Sequence, residues 1–219
     1  MTTPQEQLKE LREIRSLMER SSRFIGLSGL SGVAAGVCAL AGAAVVYTYL
    51  DAQPFQYDHH YAYYIKALSS TRWGLDYMKF FLFVGAFTAL AAILSGIFFT
   101  TRRSRRKGQT IWDKTAQRLL ANMAIPLVAG GLFCLAMMVH GYLAFVAPAT
   151  LIFYGMALVI GSKYTLPDVF YLGLAEIALG LVAMFMLRFG LEFWVIGFGF
   201  LHIIYGLIMY FKYERNDVG

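Results

Sequence analysis

Two ionisable residues lie inside long apolar stretches of the sequence, where such side chains are costly and usually have a partner or a function. Glu176 comes nine residues after Pro167, and His202 comes nine residues before Phe211. At 1.5 Å per residue, each lies about 13.5 Å from the same face of the membrane. The two stretches are joined by a few residues and therefore form an antiparallel hairpin. A carboxyl beside an imidazole can hold or transfer a proton, or bind an ion or a polar head group.

Each of these two residues lies on a helix face lined by glycine. Glycines occur three residues before and four residues after each of them, at Gly173, Gly180, Gly199 and Gly206. Small residues let two helix backbones approach closely in a membrane. We therefore expect the two faces to pack and to bring the carboxylate near the imidazole. Two interpretations stay open: the pair fixes the register of the hairpin, or it carries protons or coordinates an ion or a substrate head group.

A second stripe of small residues lies in the first apolar stretch. It consists of Gly29, Gly32, Gly36, Ala39 and Ala43, at alternating spacings of three and four. These residues share one helix face and predict tight packing against another helix. The partner is either another helix of the same chain or a second copy of it.

The elements that carry these residues follow from composition. The chain has 219 residues, of which 58% are hydrophobic and 15% charged, whereas soluble domains have about 45–50% and about 25%. A soluble domain of this size would expose far more polar surface. Two Cys and five Pro also exclude a disulfide scaffold and a Pro-rich disordered chain. The composition predicts an all-α, polytopic membrane protein.

Six stretches are long and apolar enough to cross a bilayer, which takes about 20 residues. They are Phe24–Leu50, Met78–Thr101, Leu119–Gly141, Leu143–Ile160, Pro167–Leu187 and Leu191–Phe211. The predicted organisation is an amphipathic N-terminal helix over 1–23, a six-helix transmembrane domain over 24–211 and a tail over 212–219. Within the domain, 51–77 forms an outer loop and 101–118 a basic inner loop.

The distribution of Lys and Arg predicts the orientation. Fifteen of the 19 Lys and Arg residues fall in the N-terminal arm, the second and fourth connections and the C-terminal tail. The positive-inside rule therefore puts both termini in the cytoplasm. A basic block follows the second span at Arg102, Arg103, Arg105, Arg106 and Lys107. We interpret it as a topology determinant that contacts anionic lipid headgroups, and not as a nucleic-acid site, because no loop is long enough to form a folded reader.

The N-terminal arm predicts an amphipathic helix. Thr3-Pro4-Gln5-Glu6 is typical of a capping box, and a narrow apolar stripe follows at Leu8, Leu11, Ile14 and Met18. The helix either lies on the membrane or on the protein's own loops, or it docks onto a cytoplasmic protein partner or a second copy of the chain.

The sequence shows no pattern typical of a catalytic site or a cofactor site. Asp58, His59 and His60 are adjacent, so their side chains point in different directions, and no second ligand cluster at helical spacing lies nearby. We therefore expect no metal and no cofactor. Nucleotide-binding and zinc-protease motifs are also missing from the sequence.

The segment from Leu11 to Gly32 resembles the opening of a group of bacterial six-helix inner-membrane proteins that have no established activity. The similarity is carried by Glu13-Ile14-Arg15, by Leu17–Ser22 and by Gly26-Leu27-Ser28-Gly29. It covers about a tenth of the chain and implies a bacterial inner-membrane location. No functional residue can be transferred from it.

Three classes of function are compatible with this sequence. The first is a membrane module for sensing or scaffolding that works through a partner or through self-association. The alternative is a proton-coupled carrier or channel for a small solute that uses Glu176 and His202. An intramembrane enzyme is the least supported, because no nucleophile or metal constellation is present.

Overall fold

A computed structural model describes residues 28–51, 53–55, 71–106, 108 and 112–215 of the chain. The predicted amphipathic helix over 1–23, most of the outer loop and the last four residues lie outside this part. Six long helices account for most of what is described: α1 (Gly29–Leu50), α2 (Tyr77–Arg106), α3 (Lys114–Val139), α4 (Val146–Gly161), α5 (Asp168–Phe185) and α6 (Leu187–Tyr213). Short 3₁₀ turns, Leu143–Phe145 and Ser162–Tyr164, extend α4 at both ends.

All six helices are long and apolar enough to cross a membrane, which confirms the predicted all-α fold class with six spans. Their bounds differ from the expected ones at several ends. The second helix continues to Arg106, so most of the basic block is helical and prolongs the span beyond the apolar stretch. The small hairpin Thr71–Arg72 and Leu75–Asp76 precedes α2.

The glycine stripe of the first span packs against the last helix of the same chain. A Cβ added at Gly32 would lie 3.2 Å from the Cα of Gly206, and one added at Gly36 would lie 2.7 Å from the carbonyl oxygen of Gly199. At Gly29 the added atom would collide with the backbone of Gly206. Backbones approach this closely only where side chains are absent. The stripe is therefore a seam between α1 and α6 within one chain.

A second seam joins α4 to α5. A Cβ at Gly155 would lie 2.6 Å from the carbonyl oxygen of Gly173, and one at Gly173 would lie 2.8 Å from that of Gly155. About two turns further along α5, Gly180 lies against Ile152 and the backbone of Pro148. These two seams define two closely packed helix pairs, α1–α6 and α4–α5. In addition, α2 packs against α1, and α3 packs against α4.

Aromatic packing closes one end of the α1–α2 pair. The hairpin turn at Trp73 and Gly74 has two consecutive residues at positive φ, 57° and 73°, which is the geometry of tight two-residue hairpins. Tyr49 stacks on Phe80 with ring centroids 3.6 Å apart and meets the Trp73 ring edge to face. Its hydroxyl donates to the carbonyl oxygen of Leu75 at 3.1 Å. The hairpin is thereby attached to both helices.

At the opposite end of the bundle, a buried ion pair between Arg103 and Glu214 joins three helix ends. We call this end, which carries the last turn of α2 with its arginines, the basic end. The Glu214 carboxylate, just after α6, accepts hydrogen bonds from the backbone N–H of Gly29 and from the Ser28 hydroxyl. It thus caps the N-terminus of α1, where a negative charge is favoured. Arg103 of α2 lies 3.6 Å from the same carboxylate and donates to the carbonyl oxygen of Tyr213 at 3.0 Å.

Replacing Glu214 with Gln keeps the size of the side chain and removes its charge. We expect the free energy of unfolding to fall by about 1–2 kcal/mol, because the charged contacts to Arg103 and to the start of α1 are lost together. Detergent-induced unfolding in bicelles measures this change. Asp76→Asn serves as the control, because Asp76 pairs with Lys79 on the surface and exposed pairs contribute little. Equal stability of Glu214→Gln and the parent would contradict the prediction.

Candidate functional site

The fold brings Glu176 and His202 together in the interior of the bundle. Nδ1 of His202 lies 3.4 Å from Oε1 of Glu176. The glutamate is 0% exposed and the histidine 5%. The pair that the sequence singled out is therefore a close contact between α5 and α6, away from water.

The glycine faces do not produce this contact in the expected way. Gly173 and Gly180 pack against α4, while Gly199 lies against Leu40 and Gly206 against Val33, both in α1. The two faces are thus used in separate seams, one for each helix pair. The glycine that brings the two helices together at the site is a different one.

Gly197 provides the close approach between α6 and Glu176. A Cβ at Gly197 would lie 2.5 Å from Oε2 of Glu176 and 2.5 Å from Cδ2 of Leu151. Gly197 lies in a π-helical segment of α6, Val195–Leu201, directly before His202. Such wide turns within α-helices occur frequently at functional sites. The Glu176 carboxylate thus lies directly against the backbone of α6, at a position without a side chain in the π-helical segment.

The hydrogen bonds of His202 define its tautomer. Nδ1 lies 3.0 Å from the carbonyl oxygen of Gly197, and a carbonyl can only accept, so Nδ1 carries a hydrogen. Nε2 lies 2.8 Å from the hydroxyl of Tyr154 in α4, so in the neutral imidazole it accepts the hydrogen of that hydroxyl. Glu176, His202 and Tyr154 thus form a row of three titratable groups from three different helices.

The Glu176 carboxylate has no hydrogen bond to either oxygen within the described residues. An ionised carboxylate in such surroundings costs several kcal/mol unless something compensates for its charge. The site therefore suits a neutral carboxylic acid, or a bound group that supplies a positive charge or hydrogen-bond donors. A buried polar group that the protein leaves unsatisfied is a common mark of a functional position.

Tyr154 was not singled out from the sequence, although it completes the site. Its ring also packs on Phe198, with centroids 4.9 Å apart. Phe198 in turn stacks on His202 at 5.8 Å and makes a tilted ring contact with Trp194 at 5.0 Å. The signal that could have indicated it is its position. Tyrosine is typical of the two membrane interfaces, whereas Tyr154 lies near the middle of an apolar span.

The predicted lipid-contacting basic residues divide into two groups. Arg102, Arg105 and Arg106 are exposed at the basic end, as contact with headgroups requires. Arg103 departs from the expectation because it is 7% exposed and its guanidinium contacts Glu214 and Tyr213. Lys107 lies outside the described residues.

The comparisons with known protein families, with curated proteins and with solved structures found no match. The similarity of residues 11–32 to bacterial inner-membrane proteins therefore stays a prediction. The six apolar helices define the class of protein: this chain is a multi-pass integral membrane protein.

Proposed function

We propose that this protein is a sensing module of the membrane whose Glu176–His202 pair takes up and releases a proton. The observation that carries the proposal is the fully buried Glu176 carboxylate, which has no hydrogen bond among the described residues and lies 3.4 Å from an imidazole. A change of charge at such a position alters the local free energy by several kcal/mol. That is enough to shift an equilibrium between two helix arrangements.

The position of the pair supports a link between protonation and helix packing. The titratable groups that face Glu176 in the described structure are His202 from α6 and Tyr154 from α4. The carboxylate itself belongs to α5, so all three groups lie where α6 meets the α4–α5 pair. A charge that appears there acts on the contact between the two helix pairs.

The enclosure of the site favours sensing over transport. Glu176 and His202 are almost fully buried, and neither lines the cavity beside Trp194, whose walls are apolar. A hydrated ion or polar solute would need polar groups along its path. A sensor needs only that a proton reaches the pair and that the helices respond.

Spin labels at two open positions test the proposal. No described residue comes within 4 Å of a Cβ added at Gly96 in α2 or at Gly131 in α3. Cys at these positions, with Cys38 and Cys134 replaced by Ala, therefore accepts a label without disturbing the packing of the described helices. In nanodiscs between about pH 4 and pH 10, a range that covers shifted carboxyl and imidazole groups, we expect the label-to-label distance to change with pH. In Glu176→Gln the distance should be independent of pH.

Asp168→Asn is the matched control. Asp168 is also a carboxylate in α5, but it is the first residue of the helix, where it pairs with Lys212 and Tyr213. This variant should keep the pH response of the parent. A parent distance that stays constant over the whole range, or a response that survives in Glu176→Gln, would refute the proposal.

The carrier hypothesis uses the same residues and predicts flux. Proteoliposomes that contain a pH-sensitive dye would show proton movement that disappears in Glu176→Gln. Flux of that kind would replace the sensing proposal with a carrier. Because both hypotheses depend on Glu176 and His202, the distance and the proton flux are measured on the same variants.

Orientation and partners complete the proposal. Both termini lie in the cytoplasm, at the inner membrane of a bacterium, and the exposed arginines of the basic end contact anionic headgroups. The ends of α2 and α6 and the start of α1 meet at this end, which supports placing its positive charges on one side. A cytoplasmic protein or a second copy of the chain would receive the signal through residues 1–23. Deleting residues 1–18 and measuring oligomer size would separate these two partners.

A further inference from the structure

A cavity lies among α1, α2, α4 and α6, in the half of the bundle away from the basic end. Its volume is about 160 Å³. The walls come from α1 and α2 on one side and from α4 and α6 on the other, and include Ala43, Val84, Ala147, Leu191 and Trp194. An apolar cavity of about 150 Å³ in another protein stays dry and binds benzene. A cavity of this size therefore holds an apolar group of about six carbons.

The polar groups of the cavity walls do not call for a polar ligand. Thr150 donates its hydroxyl hydrogen to the carbonyl oxygen of Ala147 in its own helix, at 2.7 Å. Thr88 is buried against Gly42 of α1. An occupant would gain binding energy mainly from van der Waals contacts with the apolar walls. It would gain little from hydrogen bonds.

The cavity opens onto the membrane-facing side of α2. Gly85 lines the cavity and is itself exposed. Within the part of the chain that the structure describes, nothing lies within 4 Å of a Cβ added there, so the cavity opens at this residue. Leu82, three residues before it, and Ala89, four residues after it, lie on the same face of the helix and are both exposed. In a membrane-spanning helix, such residues contact lipid acyl chains. The cavity is therefore continuous with the lipid-contacting surface.

We infer that this cavity binds a segment of about six carbons from one acyl chain of a bilayer lipid, which enters beside Gly85 and contacts the Trp194 ring. The occupant is a lipid and not a helix of a second copy, because about 160 Å³ admits an alkyl chain but not a helix about 10 Å in diameter. The binding itself does not depend on the function proposed above.

The contacts of Trp194 connect this cavity to the ionisable pair. Its ring packs on Phe198 at 5.0 Å, and Phe198 stacks on His202 at 5.8 Å with the ring planes 17° apart. A chain that moves Trp194 therefore acts on His202 through one intervening ring. Lipid occupancy and protonation thus meet at neighbouring side chains of α6.

Fluorescence quenching by lipids brominated in one acyl chain tests the binding. The protein has three tryptophans, and Trp73→Phe with Trp112→Phe leaves Trp194 as the reporter. In bilayers of brominated phosphatidylcholine we expect strong quenching of Trp194 relative to the unbrominated lipid. Gly85→Leu places a side chain at the entrance and should remove most of this quenching.

Gly96→Leu is the matched control, since Gly96 is in the same helix, has equally open surroundings and does not line the cavity. This variant should be quenched as strongly as the parent. Unquenched Trp194 in the parent, or equal quenching in both leucine variants, would overturn the inference. The readout is independent of Glu176, so strong quenching in Glu176→Gln would uphold lipid binding even if the pH response failed.

Discussion

Replacing Gly206 with Ala is expected to lower the free energy of unfolding by about 3 kcal/mol, the upper end of the usual cost of overpacking. The added Cβ would lie 2.6 Å from the backbone nitrogen of Val33 and 2.7 Å from the carbonyl oxygen of Gly29. Both are backbone atoms, which cannot move aside as the end of a flexible side chain can. The α1 and α6 helices would have to separate along the seam.

Gly131→Ala is the control for this prediction. Gly131 lies in α3, and none of the described atoms comes within 4 Å of a Cβ added there. Its replacement should leave stability unchanged or raise it slightly, because Ala favours the helix. Gly36→Ala should resemble Gly206→Ala, since its Cβ would approach Gly199 and Ile203 at 2.7 Å. Unfolding in mixed micelles measures all three variants. Similar values for Gly206→Ala and Gly131→Ala would show that the seam does not limit stability.

Replacing His202 with Ala is expected to lower the free energy of unfolding by about 3 kcal/mol. The variant leaves a cavity between Tyr154 and Phe198 and removes hydrogen bonds to the Tyr154 hydroxyl and to the Gly197 carbonyl. The π-helical segment that precedes His202 thereby loses the hydrogen bond between this side chain and its backbone at Gly197. His140→Ala, at an exposed position after α3, should have no measurable effect.

A double-mutant cycle measures the contact between the pair. Glu176→Ala, His202→Ala and the double variant should show an interaction energy of about 1 kcal/mol or more, as residues in direct contact do. If the two effects add within error, the 3.4 Å separation carries no energetic coupling. The pH response would then have to arise without His202.

Local composition was sufficient to predict the six helices. A run of about 20 apolar residues must satisfy its backbone hydrogen bonds internally in a membrane, and only a helix does so within one segment. The ends were less predictable. The α2 helix extends to Arg106 because a helix continues through charged residues once it has left the hydrocarbon, and Arg103 finds a partner in Glu214 there.

The contact between Glu176 and His202 could also be predicted, because the fixed rise per residue puts the two side chains at matching heights on consecutive helices. What the sequence could not show is which small residue allows the contact. Gly173 and Gly197 are equally small in the sequence, yet one packs on α4 and the other on Glu176. Helix rotation about its own axis makes this choice, and rotation depends on all neighbours at once.

By itself, the sequence determined a membrane-spanning, all-helical chain with two ionisable residues at matching heights on consecutive helices, because hydrophobicity and helical rise are local properties. The tertiary structure alone decided that the first glycine stripe joins α1 to α6, that Tyr154 completes the site, and that a cavity opens beside Gly85. Each of these depends on contacts between helices that are distant in sequence. In a membrane such contacts form wherever surfaces fit, since apolar side chains gain little from one another over lipid.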